Sequence, residues 1–342
     1  MTDLPATVTL ADVAREAGVS KMTVSNVINN KPGMSEDTRQ RVRHAIDRTG
    51  YVVNPAARAL SSKRPRNNLI GVLTPQLNWP WVAELLHGAS TTAEAAGLNL
   101  AIFTTASNPT LERERATLLR TLADGVLLVI PSAEEHSIFG DSVPVVTLGG
   151  HGQHTVQVDN YTGGYLATKH LIDLGHTRVA HLAGQNDDTP LRDATDRQAG
   201  YHAALLDAGL PVPDAYVQKG EYAEDVAERV TRTLLTLPEP PTAIFAANDL
   251  SAIGALRAAA ALGRRVPQDL SIVGFDDIHA AAVTDPPLTT VRQPLEEMGQ
   301  AAARLLIHLT RNEPTDSHVR FPATLVVRGS TAPPGQEAHM DP

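Results

Sequence analysis

The chain has 342 residues, of which 42% are apolar and 20% are charged, and this predicts two or three folded domains. The net charge of −9 is unevenly distributed. Residues 1–66 carry 11 Lys and Arg against 6 Asp and Glu, a net of +5, whereas the remaining 276 residues carry a net of −14. An acidic chain with a basic N-terminal region is predicted to confine any binding of nucleic-acid phosphates to that region.

The sequence contains no cysteine, which excludes disulfides, thiolate metal sites and cysteine nucleophiles and is typical of a reducing cytoplasm. Residues 1–9 lack a basic stretch followed by an apolar one, so no secretion signal is expected. Proline, glycine or a charged residue interrupts every apolar run well short of the roughly 18 residues that a membrane span needs. These features predict a cytoplasmic protein with no membrane partner.

Three short helices are predicted at the start of the chain. Thr9, Ser20 and Ser35 are suitable N-caps, and Gly18 and Gly50 end the first and third helices. A helix, a glycine-containing turn and a second helix with polar side chains form a helix-turn-helix, whose second helix enters the major groove of DNA. The apolar side chains that share faces of these helices predict one small core, formed by Leu10, Val13, Ala14, Ala17, Val24, Val27, Ile28, Val42, Ala45 and Ile46.

A further short helix is predicted at residues 54–60, where Asn54 is a good N-cap and Pro55 is a good first helical residue. Because nucleating a helix is costly, a helix this short is expected to fold only against another surface. The basic segment 61–66 is predicted to be a flexible linker.

From residue 69 onwards, short apolar segments alternate with amphipathic ones, which predicts parallel α/β sheets. Strands are predicted at 69–73, 98–103, 125–130, 143–148, 179–182, 243–246 and 270–275, and helices near 82–96, 111–122, 163–174, 194–208, 224–237, 250–262 and 295–309. Strand-like segments at 156–158, 288–291 and 319–327 lie at the joins. The chain is therefore expected to pass between two lobes near 159–162, 286–293 and 319–323, and to form a ligand cleft between them.

These patterns predict a fold of four parts. Residues 1–53 form an all-α helix-turn-helix domain, and residues 54–66 form a short helix and a linker. Residues 67–330 form a two-lobed α/β domain with a ligand cleft. Residues 331–342 are predicted to be a disordered tail, because they contain Pro and Gly but no leucine heptad for a coiled coil.

Ordered motifs along the chain are shared with a known family. The N-terminal motifs are Val8–Ser20, Thr23–Asn29, Thr38-Arg39, Gly50-Tyr51 and Asn54–Leu60. The later motifs are Val158–Asn160, Gly175-His176, Arg197–Tyr201, Ala247–Asp249, Val266–Asp269, Gly274–Asp277 and Pro287–Val291. On these motifs, from residue 8 to about 328, the chain resembles the LacI/GalR family of bacterial transcription regulators. The resemblance implies a homodimer that binds operator DNA. It also implies that residues 54–66 are a hinge helix and linker, and that residues 67–330 are a ligand-binding and dimerisation domain similar to periplasmic binding proteins.

The resemblance implies DNA contacts from the second helix and from the hinge helix. Lys21, Met22 and Asn26 are expected to read bases, because Lys donates to guanine, Asn bridges adenine and Met offers apolar contact. Leu60 matches the hinge leucine that wedges into the minor groove at the operator centre and bends the DNA. The full set implied for DNA binding is Thr9, Ser20, Lys21, Met22, Thr23, Ser25, Asn26, Asn29, Asn54, Ala57 and Leu60.

The resemblance also implies a small polar effector in the cleft. Arg197 matches the ligand-binding arginine, whose planar fork holds two oxygens of a sugar or a carboxylate. Asp276 matches an acidic residue that accepts from ligand hydroxyls or ring N–H groups. The two tryptophans and Tyr222 fall at positions where rings stack on the ligand. Gly149 stands where many relatives have a larger or acidic residue, so one common contact is expected to be missing. The implied effector residues are Trp79, Trp81, Arg197, Tyr222, Asn248, Phe275 and Asp276.

The sequence therefore predicts a repressor of genes for carbohydrate uptake or metabolism that a small sugar-like effector releases from a palindromic operator. Two alternatives remain: a regulator with a nucleoside or purine-like corepressor, and a sugar-binding protein or enzyme with a helical extension. There is no dinucleotide-binding motif, P-loop or nucleophile elbow, and the loop residues His151 and His154 lack a third metal ligand nearby. Accordingly, no enzyme activity, cofactor or metal is expected.

Overall fold

The structure, a computed structural model, describes residues 8–28, 31–51, 67–131, 138–184 and 192–335. The chain divides into two compact units, Met1–Asn67 and Asn68–Pro342. The predicted hinge helix lies outside the described residues. Within the described ranges, no helix is both long enough and apolar enough to cross a bilayer.

The first unit contains three helices: α1 (Leu10–Ala17), α2 (Lys21–Ile28) and α3 (Glu36–Thr49). Thr9 and Asp12 form a capping box at the start of α1, and the Ser20 hydroxyl accepts the Thr23 N–H at 3.0 Å at the start of α2. Gly18 ends α1 in the left-handed conformation, at φ 65°. The predicted core is confirmed: Val13, Ala14, Ala17, Val24, Val27, Val42 and Ala45 are buried, and Leu10, Ile28 and Ile46 pack against them.

The second unit consists of two lobes, each built on a six-stranded sheet. In chain order its elements are β1 (Leu69–Thr74), α4 (Pro80–Ala95), β2 (Asn99–Thr104), α5 (Pro109–Leu122), β3 (Gly125–Val129), β4 (Val145–Leu148), β5 (Thr155–Val158), α6 (Asn160–Asp173), β6 (Val179–Ala183), α7 (Arg192–Asp207), a 3₁₀ turn (Asp214–Tyr216), β7 (Val217–Lys219), α8 (Glu224–Leu235), β8 (Ala243–Ala246), α9 (Asp249–Ala261), β9 (Ser271–Asp276), α10 (His279–Val283), β10 (Thr289–Arg292), α11 (Leu295–Thr310), β11 (His318–Phe321) and β12 (Thr324–Val326).

The strand order is β11–β5–β4–β3–β1–β2 in lobe 1 and β12–β10–β9–β8–β6–β7 in lobe 2. All described strand pairs are parallel except β10 with β12. The inner strands β3, β4, β8 and β9 are buried at every residue, as expected for parallel strands that helices cover on both faces. The predicted α/β architecture is therefore confirmed, with β12 as its antiparallel exception.

The chain passes between the lobes three times: after β5 into α6, after β10 into α11, and after β11 into β12. The last passage differs from the single strand-like segment predicted at 319–327. Pro322 and Ala323 divide that segment into two strands that belong to different sheets. Proline has no N–H for a strand ladder, which accounts for the break at this position.

Helices α6 and α7 cross closely, and this crossing positions one wall of the cleft. Gly164 of α6 lies against the backbone carbonyl of Arg197, and Gly200 of α7 lies against the carbonyl of Tyr161. A Cβ atom at either glycine would overlap the opposite backbone, so the absence of side chains lets the helices approach. The first turn of α6 is thereby held beside the arginine.

The C-terminal segment 330–335 packs against lobe 2, whereas the sequence predicts disorder from residue 331. The buried hydroxyl of Ser330 donates to the Ile272 carbonyl at 2.6 Å, and the Ala332 N–H donates to the Ser271 hydroxyl at 3.1 Å. His176 also lies 2.9 Å from the Ala332 carbonyl through Nε2. These polar bonds hold the segment beside β9 without large apolar side chains, so its composition did not indicate packing. Residues 336–342 lie outside the described ranges.

Candidate effector site and DNA-reading helix

A cavity of about 230 Å³ lies between the lobes, at the carboxyl ends of their parallel strands. Pro75 and Gly149 border it from lobe 1, where they follow β1 and β4, and Gly184 borders it from lobe 2, where it follows β6. Open α/β sheets bind ligands at this edge. Six of the seven residues implied for effector binding line the cavity: Trp79, Trp81, Arg197, Tyr222, Asn248 and Asp276.

Arg197 is held on several sides and is only 4% exposed. Its Nε donates to Asn160 Oδ1 at 2.8 Å, and its Nη1 donates to the Ala247 carbonyl at 2.5 Å. The same Nη1 lies 3.6 Å from Asp276 Oδ1. These contacts engage Nε and Nη1, so Nη2 is the part of the guanidinium that can donate two hydrogen bonds to a ligand.

Phe275 does not line the cavity, in contrast to its implied role as an effector contact. Its side chain is fully buried, and its ring centre lies 3.7 Å from Cζ of Arg197. The ring atoms Cε2 and Cζ lie against Gly163 of α6. Successive residues of a strand point to opposite faces, so Phe275 faces the core when Asp276 faces the cleft. Phe275 therefore contacts the arginine from the core side of the strand through a cation–π interaction.

Asp276 is a buried carboxylate at the end of β9. Burial raises its pKa to about 6, although the nearby Arg197 opposes that rise, and Gln293 Nε2 donates to its Oδ1 at 2.6 Å. Asp276 and Asp277 both have positive φ, at 111° and 61°, which non-glycine residues adopt only when their surroundings impose it. The Asp277 carboxylate accepts from Arg292 at 2.6 Å and from Arg328 at 2.5 Å. This ion pair network holds the turn that presents Asp276.

Asn248 is both an N-cap and a cleft residue. Its Oδ1 accepts the Ser251 N–H at 2.9 Å at the start of α9, and its Nδ2 donates to the Tyr222 carbonyl at 3.3 Å. The side-chain amide has a second N–H and a second oxygen lone pair, which a ligand can use. The N-cap bond fixes the orientation of this amide before a ligand enters.

Three aromatic rings border the cavity. Trp79 and Trp81 stack on each other with ring centres 5.9 Å apart and planes inclined by 25°. Tyr222 has a positive φ of 56°, and its ring lies against Gly184, where any Cβ would overlap it. Burial raises the pKa of the Tyr222 hydroxyl, so the phenol stays neutral at physiological pH. Rings in these positions can pack on the apolar faces of a small ligand.

The cavity includes polar residues that the sequence analysis did not identify, among them Arg192, Asp193, Glu221 and Gln293. Asp193 lies four residues before Arg197 on α7, so helical spacing alone would have placed both on one face. No sequence pattern indicated Gln293, because its contact with Asp276 depends on how the chain passes from β10 to α11.

The residues implied for DNA binding differ in the solvent exposure and hydrogen bonding of their side chains. Lys21 and Met22 at the start of α2 are exposed, and Met22 retains 73% of its accessible surface. Ser25 and Asn26 are half-buried. The hydroxyls of Thr9, Ser20 and Thr23 take part in helix caps. Asn29, Asn54, Ala57 and Leu60 lie outside the described residues, so their DNA contacts stay predictions.

The arginines of α3 are engaged near their own helix. Arg39 donates to the Lys31 carbonyl at 2.7 Å, and Arg41 pairs with Asp37 at 3.4 Å. The charge of Arg41 is therefore partly neutralised within the first unit. Lys21, by contrast, has no acidic partner among the described residues, so its charge is available to DNA.

Known proteins resemble both parts of the chain. The model "Bacterial regulatory proteins, lacI family" matches residues 9–54, and the model "Periplasmic binding protein-like domain" matches residues 168–331. The ribose operon repressor of Escherichia coli strain K12 is 36% identical over 334 residues, covering 94% of this chain and 99% of the relative. The chain belongs to the LacI family.

Solved structures of transcription regulators are similar to this chain over nearly its whole length. The lac repressor dimer bound to operator and an anti-inducer is 29% identical, with a TM-score of 0.83 over 95% of this chain and 99% of that one. The complex of the regulator CelR with cellobiose is 33% identical, with a TM-score of 0.70 over 94% and 99% of the two chains. As a member of this family, the chain is a ligand-responsive, DNA-binding transcription regulator and not an enzyme.

Proposed function

We propose that this LacI-family chain represses genes of carbohydrate uptake or metabolism and is released from its operator by a small, sugar-like effector. The composition of the cleft supports this ligand class, because the charged groups of Arg197 and Asp276 lie among three aromatic rings. Guanidinium and carboxylate groups bind sugar hydroxyls, and aromatic rings pack on the apolar C–H faces of sugars. The names of two similar proteins, a ribose operon repressor and a regulator bound to cellobiose, point to the same class.

On DNA, we propose a homodimer that reads a palindromic operator, because two helix-turn-helix units on a two-fold axis match two half-sites. Lys21, Met22 and Asn26 would contact base edges in the major groove, and Leu60 would wedge into the minor groove at the centre. A protein with this role acts in the cytoplasm, where the chromosome lies.

The coupling between the two activities is proposed to run through the cleft. Its ligand-binding groups come from both lobes, with Trp79 and Trp81 on lobe 1 and Arg197 and Asp276 on lobe 2. A ligand that contacts both lobes favours their closed arrangement, and that arrangement is proposed to separate the hinge helices of the dimer. The DNA-bound state then becomes less stable.

DNA binding is tested with the full chain and with duplexes that it selects from a random-sequence pool. Fluorescence anisotropy is measured at two salt concentrations. A selected duplex is expected to bind about 10³-fold tighter than a random one, or tighter still. Leu60→Ala should weaken binding to the selected duplex while keeping most of the salt-dependent binding to random DNA. Equal losses on both duplexes, or no selected sequence at all, would contradict the proposal.

The ligand class is tested separately by calorimetry with D-ribose, D-glucose, cellobiose and hypoxanthine. At least one neutral sugar is expected to bind the wild-type protein, and Arg197→Met should lose that binding. Binding of hypoxanthine alone would replace the sugar proposal with the purine corepressor alternative.

A further inference from the structure

Asp193 reaches across the cleft from lobe 2 to a loop of lobe 1. It is the second residue of α7, and the loop residues Gly149 and Gly150 follow β4. A Cβ atom built on Gly149 would lie 3.1 Å from Asp193 Oδ2. The backbone N–H of Gly150 donates toward the same carboxylate. The glycine at position 149 thus leaves room for an acidic group that enters from the opposite lobe.

A neighbouring contact supports the same crossing. Arg192 Nη1 lies 3.2 Å from Nδ1 of His151, so two consecutive residues of α7 meet two neighbouring positions of the loop. Gly149 and Gly150 have φ of 75° and 78°, a conformation that suits glycine and directs the Gly150 N–H into the cleft. The Gly150 carbonyl accepts from Gln157 Nε2 at 2.5 Å, and this bond restrains the loop.

The carboxylate of Asp193 changes the charge of the cleft. Of the arginines that line the cavity, Arg197 lies 3.6 Å from Asp276 and Arg192 pairs with Asp196 at 3.5 Å, so both have an acidic partner before any ligand enters. Asp193 adds a second acidic group within the same cavity, and burial raises its pKa while Arg197 and the Gly150 N–H lower it. A ligand anion placed there would meet like charges in a poorly solvated site, whereas ligand hydroxyls would find acceptors.

We propose that Asp193 is a specificity-determining residue that makes the cleft select neutral, hydroxyl-bearing ligands over sugars that carry a carboxylate or a phosphate. This inference rests on the proposed function, since it concerns the effector of that same cleft. The negative charge of Asp193 weakens the binding of anionic ligands, and its oxygens also accept hydrogen bonds from neutral ones.

The test compares the wild-type protein with Asp193→Asn, which keeps the side-chain shape and removes its charge. Asp207→Asn is the matched control, because Asp207 lies at the far end of the same helix and accepts from the Tyr165 hydroxyl without lining the cavity. Calorimetry measures binding of D-ribose against D-ribose 5-phosphate, D-glucose against D-gluconate, and cellobiose against cellobionate. We consider each pair of which at least one member binds the wild-type protein. In such a pair, the neutral sugar should bind at least tenfold tighter than its anionic counterpart.

Asp193→Asn should reduce that preference by about tenfold or more, and Asp207→Asn should leave it within about twofold. A wild-type preference for the anion, or equal effects of the two variants, would overturn the inference. If no sugar binds the wild-type protein, the proposed ligand class fails, and inorganic phosphate then decides the inference. If Asp193→Asn binds phosphate more tightly than the wild-type protein and the control variant do, the role of Asp193 is supported. Equal phosphate binding by the three proteins overturns it.

Discussion

The DNA-reading helix and the effector cleft use polar side chains in opposite ways. On α2, Lys21 and Met22 project into solvent, and their implied partners are bases that lie outside the protein. In the cleft, Arg197 and Asp276 are about 95% buried, and each already has protein partners before a ligand enters. The groups proposed to bind the effector are therefore held in place by the fold, whereas the base reading proposed for α2 depends on where the helix lies on DNA.

This difference has a consequence for mutations. Changes in the cleft should alter folding stability together with ligand binding, because the partners of a removed group stay buried. Changes on the exposed face of α2 should alter DNA binding with little effect on stability.

The largest effect is expected from Arg197→Met. The substitution keeps an apolar chain over Phe275 but leaves Asp276 and the Asn160 amide without their buried partner. We expect a loss of about 3 kcal/mol in the free energy of unfolding, measured by urea denaturation. Arg232→Met, which removes a surface pair with Glu228, is the control and should cost less than about 1 kcal/mol. Equal losses in the two variants would contradict the distinction between cleft and surface.

A second effect concerns His181, which is buried in lobe 2 and stacks between Tyr201 and Phe245. Burial lowers its pKa from 6.5 to about 3, so the folded protein keeps this ring neutral. As pH falls below 6.5, only the unfolded chain takes up the proton, and stability is lost progressively. At pH 5 the loss should approach about 2 kcal/mol.

His181→Phe keeps the ring stack and removes the titration, so its stability should fall less between pH 7 and pH 5 than that of the wild-type protein. Urea denaturation at both pH values measures the difference. His202→Gln, at an exposed position on α7, should follow the wild-type protein. If His181→Phe also follows the wild-type protein, this histidine does not control acid stability.

An effect on DNA binding is expected from Asn26→Ala. Loss of a bidentate contact to adenine should weaken binding to the selected duplex by about 1 to 3 kcal/mol. Binding to a random duplex of the same length and the free energy of unfolding should change by less than about 0.5 kcal/mol. A parallel loss on both duplexes would assign Asn26 to phosphate contact instead of base reading.

The smallest effect is expected from Arg41→Ala on α3. Its ion pair with Asp37 is exposed and spans one helical turn, so its removal should change stability by less than about 0.5 kcal/mol. The salt dependence of DNA binding should also stay unchanged. A salt slope lowered by about one would instead show that Arg41 contacts a phosphate.

The sequence predicted the parts of the structure that depend on local chemistry. The caps at Thr9 and Ser20 and the turn at Gly18 are set by neighbouring residues, and the structure has them as predicted. The alternating strands and helices of the two lobes were also predicted, but the short β7 and α10 were not. Each has five residues or fewer, which is too short for a periodic pattern.

The errors in the cleft arose where contacts join distant parts of the chain. Phe275 shares a motif with Asp276, yet strand alternation turns its ring into the core below Arg197. The contact of Asp193 with the loop at Gly149 spans 44 residues and two lobes, and no local pattern signals it. Motif position identified most of the cleft residues, while the partners of each group required the folded structure.

The coupling between the cleft and the operator is the central feature of the proposed function. Anisotropy of the full chain on its selected duplex, measured with and without a saturating sugar that calorimetry has identified, tests this coupling. We expect the sugar to weaken operator binding at least tenfold, which is a coupling free energy of about 1.4 kcal/mol. The same sugar should leave the operator affinity of Arg197→Met unchanged. If the wild-type protein binds the operator with equal affinity with and without the bound sugar, the proposed coupling is contradicted.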